Sequence, residues 1–409
     1  MTALTKRIRN AIRLRYDILA RKIASKEHLS LKLAMGFEDF GNDRKICSLT
    51  GRTTTLSSPV LYDTNLREVR QPSFTVKSPD VHLIEFRNVQ AVGGTMALIR
   101  EGKVLYPEMR LTEVTHDYKT PKICRFADSK RTTLDFNVIS RPVIRKKVRV
   151  GLHLLKEHSF NYYHWISEVM PRLAYFAENY KRLGEEVEIT ILTDNLILDQ
   201  AVEAMRLLVN FPSKVMIVRR GELVQCDRLY CVSEFWHALD NSKHGANPQR
   251  DYATDKQAIE IVRGKFVAKT TAKPTRKIYL PRVTSQVRRI INSQQVEDLM
   301  REQGFEILQA HDYTFEQQIE LFSSARVVVG ASGAPFTNMI FMQPGSKAVI
   351  FSPKQFEIFN YHIFQQFADV AGVELAHLLA VPKRHEGFFV HDDFSVNCDD
   401  LRTLIRRLG

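Results

Sequence analysis

The alternation of apolar and polar positions predicts a mixed chain that changes character along its length. Short apolar or alternating runs separated by glycine turns, which are typical of meander strands, occur at Val81–Phe86, Met96–Arg100 and Lys103–Tyr106. From residue 150 onward, strand-like runs alternate with segments of helical spacing, and repeated units of this kind favour parallel, doubly wound sheets. The sequence therefore predicts an α/β fold with an N-terminal β-meander segment and two doubly wound halves. Ligands are expected at the carboxyl ends of strands, in a cleft between the halves.

The predicted elements divide the chain into residues 1–28, 29–269 and 270–409. The boundary at 270 rests on Thr270–Thr275, TTAKPT, which is typical of an interdomain linker; the last helix is free to pack back on the middle part. In the middle part the predicted strands are 150–155, 187–192, 215–218 and 228–232, and the predicted helices are 161–176, 198–208 and 260–269. In the last part the predicted strands are 277–280, 306–308, 327–329, 347–351 and 374–379, and the predicted helices are 293–303, 315–323, 337–341, 358–371 and 401–408.

The first 28 residues predict a basic amphipathic helix. Apolar residues fall at roughly helical spacing between many lysines and arginines, namely at Leu4, Ile8, Ile12, Leu19 and Ile23. Such a helix either docks on the protein with its charged face in water or lies on an anionic membrane surface. The spacing is compatible with both interpretations.

The composition indicates which binding partners and which cellular compartment to expect. The 59 lysines and arginines exceed the 46 aspartates and glutamates, and the net charge of +13 favours anionic partners. Nucleic acid is not predicted, because no motif for it is present. The five cysteines are odd in number and widely spaced, unlike a disulfide framework. No apolar run of about 18 residues occurs, and there is no signal-peptide core. We therefore predict a cytoplasmic protein, with peripheral contact to the inner face of the membrane through residues 1–28 as an alternative.

The stretch Ala325–Ser346 combines an apolar strand, a small-residue turn and a helix start. Gly330 and Gly333 lack Cβ atoms, so the turn can reach φ > 0 and a ligand can lie against the backbone. With a helix predicted to begin at Thr337, several free N–H groups would point at one place, which suits a phosphate or another anion. The alternative is an ordinary strand–helix turn whose small residues serve packing.

A histidine-rich segment leads into the helix predicted at 161–176. His164, Glu168 and Arg172 share one helix face, so that a carboxylate could tune a histidine as general base. The alternative is a Glu–Arg pair beside a capping histidine. Pro171 predicts a kink or a break in this helix. The other candidates in the segment are His153, His158, Asn161 and Tyr163.

Basic residues follow the strand predicted at 277–280. Arg282, Arg288 and Arg289 would bring guanidinium groups to its carboxyl end, where they could bind phosphate in a bidentate manner. A basic surface loop is the alternative. The chain has no P-loop, HExxH, G-x-S-x-G or D-x-D motif, so a zinc or two-metal hydrolase is not predicted and no metal site is assigned.

Several segments together resemble the family 61 glycosyltransferases, which include bacterial capsular polysaccharide proteins and plant xylan-modifying transferases. The segments are NYYHW…E…PRL (161–173), IYLPR…RRIIN (278–292), GFEIL with TFEQQIELF (304–322) and VVVGASGAPFTNMIFMQPGS (327–346). Their order and spacing over about residues 80–355, rather than any one motif, carry the resemblance.

The resemblance implies a GT-B-like architecture, in which two Rossmann-like domains face across a cleft and the reaction inverts the sugar's configuration. It implies an acceptor-side domain at 29–269 and a nucleotide-sugar-binding domain at 270–409. The implied enzyme is a hexosyl- or pentosyltransferase that moves a sugar from a nucleotide-sugar to a glycan hydroxyl in cell-surface or capsular polysaccharide synthesis. The missing D-x-D motif and the basic turn predict that it needs no divalent metal. No cofactor is predicted either, since the nucleotide-sugar is a co-substrate.

The resemblance also distributes roles among the candidate residues. His164 and Glu168 would be catalytic, and His153, His158, Asn161 and Tyr163 would line the acceptor side. The donor would lie on Arg282, Arg288, Arg289, Gly330, Ser332, Gly333, Ala334, Thr337 and Asn338.

One position departs from the family's usual pattern. Many members have G-P-H-G-A where this chain has GASGA, with Ser332 in the histidine's place. If that histidine neutralises the leaving diphosphate, either an arginine takes over its charge here or the donor or the activity differs. The competing function is a non-catalytic glycan- or membrane-surface-binding component of a polysaccharide assembly complex. An oxidoreductase with a nucleotide cofactor is disfavoured, because the glycine turn lies late in the chain and lacks G-x-G-x-x-G.

Overall fold

The computed structural model describes residues 25–34, 40, 43–107, 124–127, 132–140, 146–195, 197–235, 255–267, 273–282, 287–354, 356, 358–383 and 392–408. The chain forms two compact units. Unit 1 comprises residues 1–52 and 78–247, and unit 2 comprises residues 53–77 and 248–409. Both contain parallel strands connected by helices, so the α/β prediction is confirmed. The predicted domain ranges remain a prediction.

The strands are numbered in chain order across both units. They are β1 (Ser25–Ala34), β2 (Arg44–Leu49), β3 (Thr53–Leu56), β4 (Val60–Tyr62), β5 (Glu68–Arg70), β6 (Phe74–Lys77), β7 (Val81–Val92), β8 (Leu98–Arg100), β9 (Lys103–Leu105), β10 (Cys124–Phe126), β11 (Thr133–Ser140), β12 (Lys146–His153), β13 (Ile189–Asp194), β14 (Ser213–Val218), β15 (Leu223–Val232), β16 (Arg276–Leu280), β17 (Glu306–Ile307), β18 (Ala325–Ala331), β19 (Lys347–Pro353), β20 (Glu374–Pro382) and β21 (Phe394–Ser395).

The helices are numbered in the same way. The α-helices are α1 (Tyr162–His164), α2 (Met170–Asn179), α3 (Asp199–Leu208), α4 (Lys256–Phe266), α5 (Ser293–Glu302), α6 (Phe315–Ser323), α7 (Ile358–Ala371) and α8 (Cys398–Leu408). A π-helical turn (Trp165–Val169) joins α1 to α2, and 3₁₀ segments lie at Tyr180–Leu183, Ala310–Asp312 and Ala334–Phe341.

Unit 1 is built on one mixed sheet with the strand order β10-β11-β1-β9-β8-β7-β15-β12-β13-β14, and β2 adds to β7. The consecutive strands β7, β8 and β9 pair antiparallel, so they form the expected meander. Strands β15, β12 and β13 run parallel, with Leu152 of β12 opposite both Tyr230 and Ile191. The carboxyl ends of these three strands therefore meet, and they bring together the loops that follow them.

The helix predicted at 161–176 is interrupted where Pro171 enters it. Proline has no N–H to donate to a preceding carbonyl, and its ring crowds the turn before it. The chain accommodates this by widening to the π-helical turn Trp165–Val169, after which α2 begins with Pro171 in its first turn. The predicted break is thus confirmed, and π-helical turns of this kind are common at functional sites.

Unit 2 contains a parallel sheet with the strand order β17-β16-β18-β19-β20, extended by β4 and then β5. In chain order the five central strands are arranged 2-1-3-4-5. The connection from β16 moves to one side, through α5, and the chain then returns to the other side, through α6. Successive strands are therefore added on opposite sides of β16, and the strand order reverses between β16 and β18. Open α/β sheets bind ligands at the carboxyl ends of the strands at such a switch point.

The sequence analysis did not predict that residues 53–77 would join the C-terminal sheet. Strand β4 pairs parallel with β20, and Leu61 at its centre is only 2% exposed. The hairpin strands β3 and β6 lie beside α7, where Phe74 contacts His362 with 5.1 Å between ring centroids. Unit 2 therefore cannot complete its sheet from the C-terminal sequence alone.

Several predicted elements need correction. The predicted N-terminal helix lies outside the described residues up to residue 24, and residues 25–28 belong to β1, because they pair antiparallel with β11. The helix predicted at 337–341 is a 3₁₀ segment that begins at Ala334. The weak strand predicted at 374–379 is a full strand of the unit 2 sheet, since it pairs with both β19 and β4. Helix α8 packs in the core of unit 2, where Leu401 and Leu404 are buried.

The close passage of β18 against β16 gives a prediction about stability. A Cβ atom at Gly330 would lie 2.7 Å from the carbonyl oxygen of Leu280, which is backbone and cannot move aside. Gly330→Ala should lower the free energy of unfolding by about 1–3 kcal/mol. The matched control is Gly264→Ala within α4, where a Cβ meets nothing within 4 Å and should raise stability by about 0.5–1 kcal/mol. Urea unfolding measures both; equal effects of the two substitutions would contradict this packing argument.

Candidate functional site

The histidine-rich segment of unit 1 places His164 against a buried carboxylate. His164 Nδ1 lies 2.6 Å from Oε1 of Glu168, which is 5% exposed, whereas His164 itself is 29% exposed. The two residues stand four positions apart across the start of the π-helical turn. The ring is therefore oriented through Nδ1 by a buried partner, and Nε2 lies on the opposite side of the imidazole.

A buried lysine holds the other side of Glu168. Lys156 follows β12 and is 10% exposed, and its Nζ lies 3.2 Å from Glu168 Oε2. The same ammonium pairs with Glu234, which follows the neighbouring strand β15. Lysine is rarely buried unless it is paired, so this arrangement is specific. We call these four residues, His164, Glu168, Lys156 and Glu234, the base cluster.

Glu168 is held in its ionised form. Burial alone would raise the pKa of Glu168, but the nearby charges of His164 and Lys156 outweigh it and lower that pKa to about 2. A carboxylate with so low a pKa is a weak proton acceptor near neutral pH. The geometry thus favours His164 as the residue that exchanges a proton and Glu168 as the residue that orients it.

A pH dependence of stability follows from this depressed pKa. The Glu168 carboxylate contributes stability that is fully present above its ordinary pKa of 4.5 and is lost as the pH falls toward a pKa of about 2. The stability advantage of the native protein over Glu168→Gln should therefore be largest near neutral pH, at roughly 2–3 kcal/mol, and should shrink between about pH 4.5 and pH 2. Urea unfolding at several pH values measures it; an advantage that is constant with pH would contradict the assignment.

His158 lies beside the base cluster in a strained conformation. Its φ of 64° is unusual for a residue with a side chain, and its ring centroid is 5.4 Å from that of His164. Desolvation, followed by the charge of His164, lowers the pKa of His158. The preceding Glu157 pairs with Arg220 from the turn between β14 and β15. His158 is thus a neutral neighbour that could contact a substrate.

Hydrogen bonds to Asp194 hold this loop in place. Asp194 is the last residue of β13, and its Oδ2 accepts from the backbone N–H of Lys156 at 3.1 Å and from Ser159 Oγ at 2.6 Å. These bonds keep the ends of two parallel strands together, which offsets the strain at His158.

The remaining acceptor-side candidates, His153, Asn161 and Tyr163, make contacts within the fold. His153 is 2% exposed, and burial followed by the charge of Arg172 lowers its pKa to about 3, so it is neutral inside the core. Asn161 caps α1 by accepting from the N–H of Tyr163 at 2.9 Å. The Tyr163 ring meets that of His164 edge-on at 5.3 Å, so of these residues only Tyr163 contacts the cluster. Arg172 donates Nε to the backbone oxygen of Glu168 rather than pairing with its carboxylate.

In unit 2, Arg282 reaches the small-residue turn from the neighbouring strand end. Its Nη1 donates to the carbonyl oxygen of Ser332 at 2.8 Å, and its Nε donates to that of Val287 at 3.0 Å. Burial, followed by the charge of Arg288, lowers the pKa of Arg282 to about 9. A cation destabilised in this way gains most from a bound anion.

Arg288 and Arg289 differ although they are adjacent. Arg288 has a φ of 57°, and its buried Nε has no hydrogen-bond partner among the described residues. Arg289 instead pairs with Asp393, with Nε 2.8 Å from Oδ2, and its side chain is 60% exposed. In the described part of the chain neither Arg282 nor Arg288 pairs with a carboxylate. The positive charges of these two side chains are therefore not compensated there by an ion pair.

The small-residue turn supplies backbone donors beside Arg282. The N–H of Ser332 is used by the carbonyl of Phe351, and Pro335 has no N–H. The N–H groups of Gly333 and Ala334 have no hydrogen-bond partner among the described residues. Together with the guanidinium groups of Arg282 and Arg288, they form what we call the cationic turn.

The glycines of the turn act through space rather than through φ, which corrects the sequence interpretation. Neither Gly330 nor Gly333 adopts the left-handed conformation that requires glycine, and Gly333 is extended with a φ of 176°. A Cβ at Gly333 would lie 2.5 Å from Nη1 of Arg282, whereas Gly330 makes room for β16. The missing side chain of Gly333 is therefore what admits the guanidinium to the turn.

Thr337 and Asn338 support the turn from inside. Both are 0% exposed. Thr337 Oγ1 donates to the carbonyl of Ala334 at 2.7 Å, and Asn338 Nδ2 donates to Gln318 Oε1 at 2.8 Å. Arg263 of α4 caps the other end of this 3₁₀ segment by donating to the carbonyl of Met342 at 2.9 Å. These residues shape the cationic turn without forming its surface.

The sequence analysis missed the residues that complete the base cluster. Lys156 and Glu234 lie 8 and 70 positions from His164 along the chain. Only the pairing of β12 with β15 brings them together. A signal was present for Lys156, because a charged residue directly after the apolar run Leu152–Leu155 lies at a strand's carboxyl end.

Two absences apply to the part of the chain that the structure describes. No group of three or more histidine, cysteine, aspartate or glutamate residues there could hold a metal ion. No helix within the described ranges is long and apolar enough to cross a membrane.

Comparison with protein families gives one result. Residues 162–349, somewhat less than half of the chain, match the family described as Glycosyltransferase 61. The matched region contains His164 and Glu168 as well as the whole cationic turn. A search of curated proteins found no match.

Proposed function

We propose that this chain, whose residues 162–349 match glycosyltransferase family 61, moves a sugar from a nucleotide-sugar donor to a hydroxyl group of a glycan acceptor. The observation that carries this proposal is the cationic turn. Among the described residues, it combines two guanidinium groups that have no carboxylate partner with two N–H groups that have no hydrogen-bond partner, at the switch point of a parallel sheet.

The cationic turn suits the leaving group of such a transfer. When the sugar departs from its donor, negative charge develops on the nucleoside diphosphate. Arg282 and Arg288 would receive that charge together with the N–H groups of Gly333 and Ala334. The contact of Arg282 with the carbonyl of Ser332 supports the proposal that an arginine takes over the role of the family's usual histidine. Arg289 is a weaker donor ligand, since Asp393 already engages it.

The base cluster suits the acceptor's deprotonation. An acceptor hydroxyl must lose its proton as its oxygen attacks the anomeric carbon, and His164 would take that proton through Nε2. With His164 neutral, Glu168 and Glu234 outnumber Lys156 by one charge; with His164 protonated, the cluster is balanced. Proton uptake thus completes the charge balance of a buried group, and Glu168 orients the ring throughout.

We propose a single displacement, which inverts the anomeric configuration, because the cluster offers a base rather than a second carboxylate placed as a nucleophile. We also propose that no divalent metal is required, since the cationic turn can neutralise the diphosphate. Transfer should then persist in excess EDTA, with the product's anomeric configuration opposite to the donor's by NMR. Activity abolished by EDTA and restored by manganese would overturn the metal-independent mechanism.

Further proposals follow from the family match and the sequence. They are a hexosyl or pentosyl donor, a GT-B-like arrangement and a role in cell-surface or capsular polysaccharide synthesis in the cytoplasm. Peripheral membrane contact through the basic residues 1–28 is a proposal too.

The transfer itself is tested by incubating the purified chain with labelled UDP-, GDP- and CMP-sugars and a panel of oligosaccharide acceptors. Appearance of labelled oligosaccharide supports the proposal. If the chain binds the donor but neither transfers its sugar nor hydrolyses it, a non-catalytic, glycan-binding role is favoured instead.

A further inference from the structure

The buried pair Lys156–Glu234 has a more specific place than the support of a loop. Lys156 contacts two carboxylates at once, Glu168 on the π-helical turn and Glu234 after β15, and its side chain is 10% exposed. Glu168 in turn contacts His164. A line of alternating charges therefore runs from Glu234 through Lys156 and Glu168 to the imidazole.

We propose that Lys156 and Glu234 are positioning residues that set the proton affinity of His164 by dividing the charge of Lys156 between two carboxylates. This inference rests on the proposed role of His164 as the base. Lys156 withdraws part of the Glu168 charge from His164, and Glu234 withdraws part of the Lys156 charge from Glu168. Lys156 and Glu234 therefore change the proton affinity of His164 in opposite directions.

The other titratable groups described near His164 are either neutral or engaged by neighbouring residues. His158 faces the ring from the loop after β12, and its desolvation keeps it neutral. Glu157 and Arg220, which lie near His158, form a pair with each other. The carboxylate of Asp194 is engaged by the Lys156 N–H and by Ser159.

Two nearly isosteric substitutions should therefore move the titration of His164 in opposite directions. Glu234→Gln removes one of the two carboxylates that share the Lys156 ammonium, so the Glu168 charge is better compensated and His164 should lose its proton at lower pH. Lys156→Met leaves Glu168 without its ammonium partner, so His164 should keep its proton to higher pH. A shift of up to about one pH unit is expected in each case, the low end of the roughly 1–3 units that an adjacent charge produces, because both groups act on His164 through Glu168.

The experiment is NMR of the full chain labelled with ¹³C-histidine, in which the His164 resonance is identified by its loss in His164→Gln. The titration midpoint of that resonance should fall in Glu234→Gln, rise in Lys156→Met and return near the native value in Lys156→Arg. The matched control is Lys146→Met with Glu222→Gln. This pair joins at 2.8 Å at the other end of β12 and should leave the midpoint unchanged.

The outcomes separate this inference from the proposed function, because the titration requires no substrate. Unchanged midpoints in folded variants, or shifts in the same direction, would overturn the role of the pair even if the chain transfers sugar. Opposite shifts in a chain without transfer would support the pair while the proposed function fails. If Lys156→Met does not fold, Glu234→Gln and Lys156→Arg decide the matter. In an active enzyme, the acidic limb of the pH–rate profile should follow the same two shifts.

Discussion

His164→Ala should lower the rate of sugar transfer by about 10²–10⁴-fold, the usual contribution of a positioned general base. The imidazole is the group of the base cluster that can exchange a proton, because Glu168 is held ionised with a pKa of about 2. Glu168→Gln should lower the rate as well, since a neutral amide orients the ring but offers no charge to an imidazolium. Donor affinity should change little in either variant, because the proposed donor ligands lie in unit 2.

The measurement is steady-state transfer together with donor binding by calorimetry, on variants whose folding is verified by circular dichroism. His82→Ala is a matched control: its Nδ1 also accepts or donates a side-chain bond, to Ser48 Oγ at 2.8 Å, but it lies outside the base cluster. Near-native turnover in both His164→Ala and Glu168→Gln would exclude the cluster as the source of the base. His158 would then be the next candidate, whereas His153 is too deeply buried to reach a substrate.

Arg282→Ala should weaken donor binding and lower transfer by about 10²–10³-fold, the typical loss when one donor to a developing negative charge is removed. Its guanidinium is fixed by the carbonyl groups of Ser332 and Val287 and has no carboxylate partner among the described residues. Arg282→Lys keeps a positive charge but not the planar geometry that makes both bonds, so it should rescue only in part. Ser332→Ala should have a much smaller effect, because Arg282 binds the backbone oxygen of that residue and not its hydroxyl group.

Arg276→Ala provides the matched control for Arg282. It lies at the opposite end of the same strand and pairs with Glu306, 2.8 Å from Nε to Oε1. Its loss should affect neither donor binding nor transfer. If Arg282→Ala binds and transfers as well as Arg276→Ala does, the cationic turn is not the diphosphate site.

The sequence predicted what depends on local pattern. The meander strands, the alternation of strands and helices, the break at Pro171 and the pairing of His164 with Glu168 all follow from spacing within a few residues. The four-residue spacing survives the change to a π-helical turn, because the widening begins at Trp165. The position of Arg282 just after the carboxyl end of a buried strand also follows from the sequence, and its role in binding the donor stays a prediction.

What the sequence could not predict depends on contacts between distant segments. Strand β4 joins the unit 2 sheet from more than 300 residues away from β20, and its three residues have no strong pattern of their own. Glu234 gains its role only because β15 pairs with β12. The glycines of the turn were assigned a conformational role, yet their value lies in the space they leave for Leu280 and Arg282. In the sequence Arg289 is equivalent to Arg288, but in the fold Arg289 pairs with Asp393, which lies 104 positions away along the chain.

The most direct test of the central claim is a thermal-shift screen of UDP-, GDP- and CMP-linked sugars on the native chain, Arg276→Ala, Arg282→Ala and Arg288→Ala. A donor at 100 times its dissociation constant adds about 2.7 kcal/mol to the free energy of unfolding. At least one nucleotide-sugar should therefore raise the melting temperature of the native chain and of Arg276→Ala, and this rise should be lost in Arg282→Ala and reduced in Arg288→Ala. If no nucleotide-sugar stabilises the native chain, or if Arg282→Ala is stabilised as much as the native chain, the proposed donor site is wrong.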